Sequence, residues 1–132
     1  MSPANAALLA GILLFAMAAF HAALALGAPW GALAWGGDTE GPLPSRLRAG
    51  SALLAPVVAA MAIVMLMRVG WVFPGAAPQM VIPVWAIALF LLIQMFGAWR
   101  SGSTRERRIM APLYTIAVAA AAVVAFGANQ IG

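Results

Sequence analysis

The 19 residues between Arg48 and Arg68 read AGSALLAPVVAAMAIVMLM and contain no charged side chain. An α-helix rises about 1.5 Å per residue, so this stretch would be about 28 Å long as a helix. The hydrocarbon core of a bilayer is about 30 Å thick, and a helix satisfies its own backbone hydrogen bonds there. The stretch therefore predicts a membrane-spanning helix with an Arg at each end.

Three further uncharged stretches of similar length occupy the rest of the chain. In chain order the stretch quoted above is the second. The first ends at Gly27, Pro29 and Gly31, the third ends at Arg100, and the fourth ends near Gly127. The predicted spans are residues 6–26, 49–69, 79–99 and 109–127. Because short connections place consecutive helices side by side, the sequence predicts an all-α, transmembrane, antiparallel four-helix bundle that forms a single domain over residues 1–132.

The composition excludes the common classes of soluble protein. Of the 132 residues, 65% are hydrophobic and 8% are charged, and the mean hydropathy is +1.02. Soluble domains carry about 25% charged and about 45–50% apolar residues. A chain this short leaves too much surface outside to hide its apolar side chains from water. A soluble enzyme and a disordered tail are therefore excluded, and the lack of Cys excludes a disulfide-linked extracellular module.

The first apolar stretch has one alternative interpretation, a cleaved signal peptide. Residues 23–25 read Ala-Leu-Ala, which has the small residues of a cleavage site. However, no Lys or Arg precedes the apolar run, and the run exceeds the usual signal-peptide core of about 7–15 residues. We therefore expect the first span to be a retained helix.

The basic residues predict the orientation of the bundle. Six of the seven lie in the connections that follow spans one and three: Arg46, Arg48, Arg100, Arg105, Arg107 and Arg108. Only Arg68 lies on the opposite side. The positive-inside rule therefore predicts a multi-pass protein of the cell (inner) membrane with both Arg-bearing loops in the cytoplasm and both termini outside. The net charge of +4 then indicates contact with anionic lipid at these loops, not with nucleic acid.

Four Trp residues fall near the predicted ends of the spans. Trp30, Trp35 and Trp99 lie on the Arg-rich side, and Trp71 lies on the other. Amphipathic aromatic rings prefer the depth of the lipid headgroups. Together with the six loop Arg residues, these Trp residues are predicted to anchor the bundle at the membrane interface.

Five polar side chains share one layer in the cytoplasmic half of the predicted bundle: His21, Ser51, Gln94, Tyr114 and Thr115. Each lies inside the end of its span, roughly 5–10 Å below the surface, where a polar group is costly. In a structural interpretation they hydrogen-bond across the bundle and fix the helix register, at about 0.6 kcal/mol per contact. In a functional interpretation they line a small ligand cavity open to the cytoplasm, in which only His21 titrates near neutral pH.

The sequence predicts no catalytic residue, no metal site and no cofactor. The chain has one His and no Cys, and its three acidic residues lie outside the predicted spans. Asp38 and Glu40 belong to a Gly-rich loop and are expected to be solvated. Glu106 is expected in the first turn of the last helix, after a cap at Ser103 or Thr104. A carboxylate is favourable there without any catalytic role.

Three short motifs carry a resemblance to a group of proteins. They are FHAALALGAPWG at residues 20–31, LPSRLR at residues 43–48 and ERRIMAP at residues 106–112. The sequence resembles small, uncharacterised four-helix bacterial integral membrane proteins in which a first-helix His precedes a Gly-x-Pro-Trp-Gly turn. The resemblance implies four membrane helices and implies no activity.

These features favour a non-enzymatic inner-membrane protein, an accessory or small-ligand-binding four-helix bundle. One alternative is a subunit of an oligomeric minimal transporter or channel. Such a protein would work only as an oligomer, because four short helices alone rarely enclose a conduction path. Its partner would be a second copy or another membrane protein. A membrane enzyme acting on lipid or quinone ranks last, because only His21 and Tyr114 offer proton chemistry at depth.

Overall fold

The computed structural model describes residues 1–128 and contains four α-helices. Their bounds are α1, Pro3–Ala25; α2, Ser45–Arg68; α3, Val81–Trp99; and α4, Ala111–Gly127. A 3-10 segment, Pro74–Met80, leads into α3, and a π-helical turn, Glu106–Met110, leads into α4. All four helical segments are long and apolar enough to cross a membrane, which confirms the predicted all-α four-helix architecture. Residues 129–132 of the predicted domain lie outside the described residues.

The first two helices begin earlier than the hydropathy of the sequence predicted. Helix α1 begins at Pro3 because the hydroxyl of Ser2 accepts a hydrogen bond of 3.1 Å from the backbone N–H of Asn5. Helix α2 begins at Ser45, so Arg46 and Arg48 belong to its first turns and not to the preceding loop. Long Arg side chains reach the interface from inside a helix, which explains this correction.

Side-chain contacts at the two ends show that the helices are antiparallel. At one end, Arg68 in the last turn of α2 donates a hydrogen bond of 3.1 Å to the carbonyl of Ala128, just beyond α4. Gly127 lies against Pro3 at the same end. At the other end, Arg48 donates from Nε to the carbonyl of Ala25, 3.1 Å away. The start of α1 and the end of α4 therefore lie at one end of the bundle, and both Arg-rich connections lie at the other.

The half of the bundle near the chain termini is packed through small side chains. Helix α1 packs mainly on α2 and α4, and α4 packs on α3, whereas α2 and α3 contact each other little. The buried small residues are Ala6, Ala7, Ala10, Ala62, Ala117, Ala120, Ala121 and Ala125. Small residues allow close approach of helix backbones, which is how helices associate in lipid. On α4, Ala117, Ala121 and Ala125 lie four residues apart on one face of the helix, and all three are buried.

Loop 1, which we define as residues 27–44, folds over the Arg-rich end. Gly27, with φ +101°, terminates α1, and the backbone N–H of Ala28 donates to the carbonyl of Ala23, as in a Schellman motif. Farther on, the N–H of Gly31 donates to the carbonyl of Gly41, 2.9 Å away, and closes the loop. A Cβ at Gly31 would lie 2.7 Å from that carbonyl oxygen, so only glycine fits there.

Candidate functional site

A cavity of about 210 Å³ lies between loop 1 and the ends of the helices. All four helical segments and loop 1 contribute to its wall. The lining residues are His21, Leu33, Ala34, Trp35, Gly36, Leu54, Gln94, Gly97, Ala98, Glu106 and Tyr114. Three of these side chains, those of His21, Gln94 and Tyr114, belong to the polar layer that the sequence predicted.

His21 is held in the wall by contacts on both sides of its ring. Its Nδ1 lies 3.1 Å from the hydroxyl oxygen of Ser51 in a buried hydrogen bond between α1 and α2. The rings of Phe20 and Trp35 contact it edge-on, with centroids 5.6 and 6.4 Å away. Because Nδ1 is engaged and only 6% of the residue is exposed, Nε2 is the ring nitrogen available to the cavity.

Trp35 closes the cavity from loop 1. Its indole Nε1 donates a hydrogen bond of 3.0 Å to the hydroxyl of Ser51, the same oxygen that contacts His21. The backbone of Trp35 is left-handed, with φ +54°, and Gly36 and Gly37 continue at φ +81° and +72°. A bulky residue in this conformation is strained, at a cost on the order of 1–3 kcal/mol, and such strain is found mainly at functional sites.

Glu106 contributes a carboxylate to the wall at the start of the α4 segment. The residue is 6% exposed, and its Oε2 lies 3.2 Å from the hydroxyl oxygen of Ser101. The Ser101 hydroxyl also lies 3.0 Å from the carbonyl oxygen of Gly36 in loop 1. A hydroxyl has one proton to donate, so the carboxylate and the loop carbonyl compete for it. The carboxylate is thereby coupled to the position of loop 1.

Local backbone geometry turns Glu106 toward the cavity. Its N–H donates to the hydroxyl of Ser103, 3.3 Å away, which confirms Ser103 as the cap. The next turn is π-helical, and the N–H of Ala111 donates to the carbonyl of Glu106. Pro112 has no N–H for the carbonyl four residues before it, so a regular α-helical ladder is interrupted at this point. Wide turns of this kind recur at functional sites.

A second set of contacts fixes loop 1 against loop 3, which we define as residues 100–105. The hydroxyl of Ser103 donates a hydrogen bond of 2.6 Å to the carbonyl of Ala32. Gly37 lies so close that a Cβ there would overlap the Ser103 side chain. Residues far apart in the sequence therefore form one cover over the cavity.

Four polar groups of the lining residues are free to contact a ligand. Within residues 1–128, no hydrogen-bond partner is found for Nε2 of His21, the amide of Gln94, the second carboxylate oxygen of Glu106 or the hydroxyl of Tyr114. Every buried side-chain nitrogen or oxygen in this part of the chain has a partner. These four groups are therefore not fully buried, and all four residues line the cavity.

The other two residues of the predicted polar layer lie outside the cavity. Ser51 is fully buried behind the wall, where it contacts His21 and Trp35. Thr115 does not line the cavity: it is exposed, donates to the carbonyl of Ala111 and accepts a hydrogen bond of 2.9 Å from Nε1 of Trp99 on α3. Successive residues on a helix point about 100° apart, so Thr115 faces away when Tyr114 faces inward.

Glu106, for which the sequence predicts no catalytic role, also lines the cavity. A signal for this was present in the sequence. Glu106 and Met110 precede Tyr114 by eight and four residues, which places them on the same side of a helix. All three are buried.

The residues predicted as interface anchors lie at the two ends of the helices. Trp30, Trp71 and Trp99 are about half exposed. Arg48 caps the end of α1, and Arg107 donates to the carbonyl of Ser101 and to the Thr104 hydroxyl. The remaining Arg residues of this group are exposed: Arg46, Arg100, Arg105 and Arg108. Asp38 and Glu40 are exposed, as predicted.

The chain matches no known protein family, no curated protein and no solved structure. Within residues 1–128, no group of three His, Cys, Asp or Glu side chains is arranged to hold a metal ion.

Proposed function

We propose that this protein is a non-enzymatic membrane protein that binds a small ligand in the cavity beneath loop 1. The observation that carries the proposal is that four residues with unpartnered polar groups, His21, Gln94, Glu106 and Tyr114, line one cavity of about 210 Å³. Polar groups inside a membrane protein are costly unless they are satisfied. A ligand that hydrogen-bonds to several of them would recover that cost.

The distribution of polar residues favours binding over conduction by a single bundle. The polar lining belongs to one end, whereas buried Ala residues fill the half near the termini, among them Ala10, Ala62 and Ala121. Close packing of this kind leaves no polar route across one bundle. Transport would require a second copy or another membrane protein, which we keep as the alternative function.

The position of Ser51 argues against hydrolysis by a Ser–His pair. Its hydroxyl lies 3.1 Å from Nδ1 of His21, as a nucleophile and base would. However, Ser51 is fully buried, also accepts a hydrogen bond from Trp35 and is not part of the cavity wall. A ligand in the cavity does not meet this oxygen, which favours a structural role for the pair over catalysis.

We propose further that the cavity end faces the cytoplasm, in the inner membrane, with anionic lipid headgroups around the Arg-rich loops. The support is that both Arg-bearing connections lie at this end, while Arg68 lies at the other. Membership in the group of small four-helix bacterial membrane proteins that the sequence resembles stays a prediction.

Ligand binding is tested with three small probes of similar size: 2-phenylethylammonium, 2-phenylethanol and phenylacetate. We expect at least one probe to raise the thermal unfolding temperature of the detergent-purified protein in a saturable manner. Gly97→Leu should abolish the effect, because Gly97 lines the cavity and a Cβ there meets no other atom within 4 Å. Ala119→Leu, on an exposed face of α4, is the matched control. The proposal would be contradicted if no probe raised the unfolding temperature in a saturable manner, or if Gly97→Leu bound the probes as well as the wild type does.

Orientation is tested by fusing a fluorescent reporter that matures only in the cytoplasm. A fusion to the C-terminus should stay dark, and a fusion after Gly102, which truncates the chain in loop 3, should be bright. The opposite pattern would place the cavity on the outer side and would leave the binding proposal standing.

A further inference from the structure

The charge of the cavity wall is negative, although six Arg residues lie at the same end of the bundle. Among the lining residues, Glu106 alone carries a formal charge. No Arg lines the cavity, and the guanidinium groups of Arg48 and Arg107 donate to carbonyls outside it. Within residues 1–128, no ion-pair partner of Glu106 is observed. Asp38 of loop 1 is close enough to Glu106 for the two charges to interact, which adds to the negative potential.

Three aromatic side chains line the same cavity as this carboxylate. His21, Trp35 and Tyr114 each belong to the wall, and the indole of Trp35 is held by its hydrogen bond to Ser51. The face of an aromatic ring attracts cations, most strongly for Trp, and the attraction increases when the site excludes water. A carboxylate among aromatic rings is the combination that recognises an ammonium group.

The polar atoms of the wall also suit an organic cation better than a metal ion. His21 and Glu106 are the two conventional metal ligands in the wall, and no group of three is present within residues 1–128. The remaining polar atoms, the amide of Gln94 and the hydroxyl of Tyr114, offer oxygen acceptors for N–H groups. Apolar side chains such as Leu33 and Leu54 line the rest of the wall.

We propose that the ligand is a small organic cation, an amine whose ammonium group pairs with Glu106 and whose apolar body lies among Trp35, Leu33 and Leu54. This inference rests on the proposed binding function and names its ligand class. The cavity of about 210 Å³ corresponds to roughly seven water molecules at liquid density, which limits the body to about one ring with a short arm. Charge-assisted hydrogen bonds are roughly twice as strong as neutral ones, so the carboxylate dominates selectivity.

The experiment compares the dissociation constants of 2-phenylethylammonium, 2-phenylethanol and phenylacetate by isothermal titration calorimetry of the full chain in detergent. The wild type should bind the ammonium probe most tightly and the carboxylate probe least. Glu106→Gln keeps the shape and the acceptor for Ser101 and removes the charge. It should weaken ammonium binding roughly tenfold or more while leaving 2-phenylethanol binding within about twofold.

The matched control is Glu40→Gln, which removes one negative charge from an exposed position of loop 1. It should leave the affinity for the ammonium probe unchanged, which separates the cavity from general surface charge. If 2-phenylethanol or phenylacetate binds the wild type as tightly as the ammonium probe, the cation inference is overturned and ligand binding stands. If no probe binds, both fail. If Glu106→Gln does not fold, the order of the three dissociation constants for the wild type still tests the cation inference.

Discussion

At the end of the bundle that holds both chain termini, α1, α2 and α4 meet through buried Ala side chains. At the loop 1 end, the same helices border a cavity with polar walls. The difference follows from side-chain size and hydrogen bonding. Ala contacts have no directional requirement, so backbones approach until the space is filled. His21, Trp35 and Glu106 are positioned by hydrogen bonds to Ser51 and Ser101, and rings and carboxylates held at fixed distances leave space between them.

The two ends of the bundle offer different contacts. Within residues 1–128, the buried side chains of the Ala-packed half are mainly apolar, and the buried Arg68 at its edge donates a hydrogen bond to Ala128. The loop 1 end is packed less closely, because a cavity lies there. Contacts with the rest of the fold hold the backbone of Trp35 in its strained left-handed conformation. Substitutions in the Ala-packed half should therefore change stability alone, whereas substitutions at the loop 1 end should change the cavity as well as stability.

The largest effect is expected for Ala121→Leu in the Ala-packed half. Ala121 is fully buried in α4, so the added atoms must push helices apart, at a cost of about 1–3 kcal/mol in the free energy of unfolding. Ala119→Leu, two residues away on an exposed face, should change it little. Unfolding in detergent, followed by circular dichroism, measures both. Equal effects of the two substitutions would show that this half is not closely packed.

A smaller loss of stability, about 1–2 kcal/mol, is expected for Ser51→Ala at the cavity end. The substitution removes the hydrogen-bond partner of both His21 and Trp35. A buried polar group without a partner typically costs about 1–3 kcal/mol. The expected loss is at the lower end of this range, because the half-exposed Trp35 ring can hydrogen-bond to water instead. Ser45→Ala, at the exposed first residue of α2, is the matched control. Wild-type stability and unchanged Trp fluorescence in Ser51→Ala would refute the supporting role of this hydroxyl.

The spans could be predicted from the sequence because length and lack of charge are local properties. Counting residues from the span ends also gave the depth of His21, Gln94 and Tyr114, and all three line the cavity. Depth does not give the direction in which a side chain points around the helix axis. For this reason the sequence predicts Thr115 in the same layer, although its side chain faces outward.

The cover of the cavity could not be predicted, because it depends on contacts between distant residues. Ser101 reaches Gly36 across 65 positions, and Ser103 reaches Ala32 across 71. No local pattern encodes such pairs. The role of Glu106 depends on this cover and on the π-helical turn, so its interpretation as a first-turn carboxylate captured its backbone position but not its environment.

The smallest effect is expected at two helical glycines of the cavity end, and here the sign of the change is informative. A Cβ at Gly97 would meet no atom within 4 Å, whereas a Cβ at Gly50 would lie 3.0 Å from the Trp35 ring. Replacing a glycine inside a helix by alanine stabilises by about 0.5–1 kcal/mol when the space is open. Gly97→Ala should therefore raise the free energy of unfolding by that amount. Gly50→Ala should not show this increase, because the indole of Trp35 must move and its hydrogen bond to Ser51 becomes longer. If Gly50→Ala stabilises as much as Gly97→Ala in detergent unfolding, Trp35 does not rest on α2, and the aromatic wall of the cavity is not fixed.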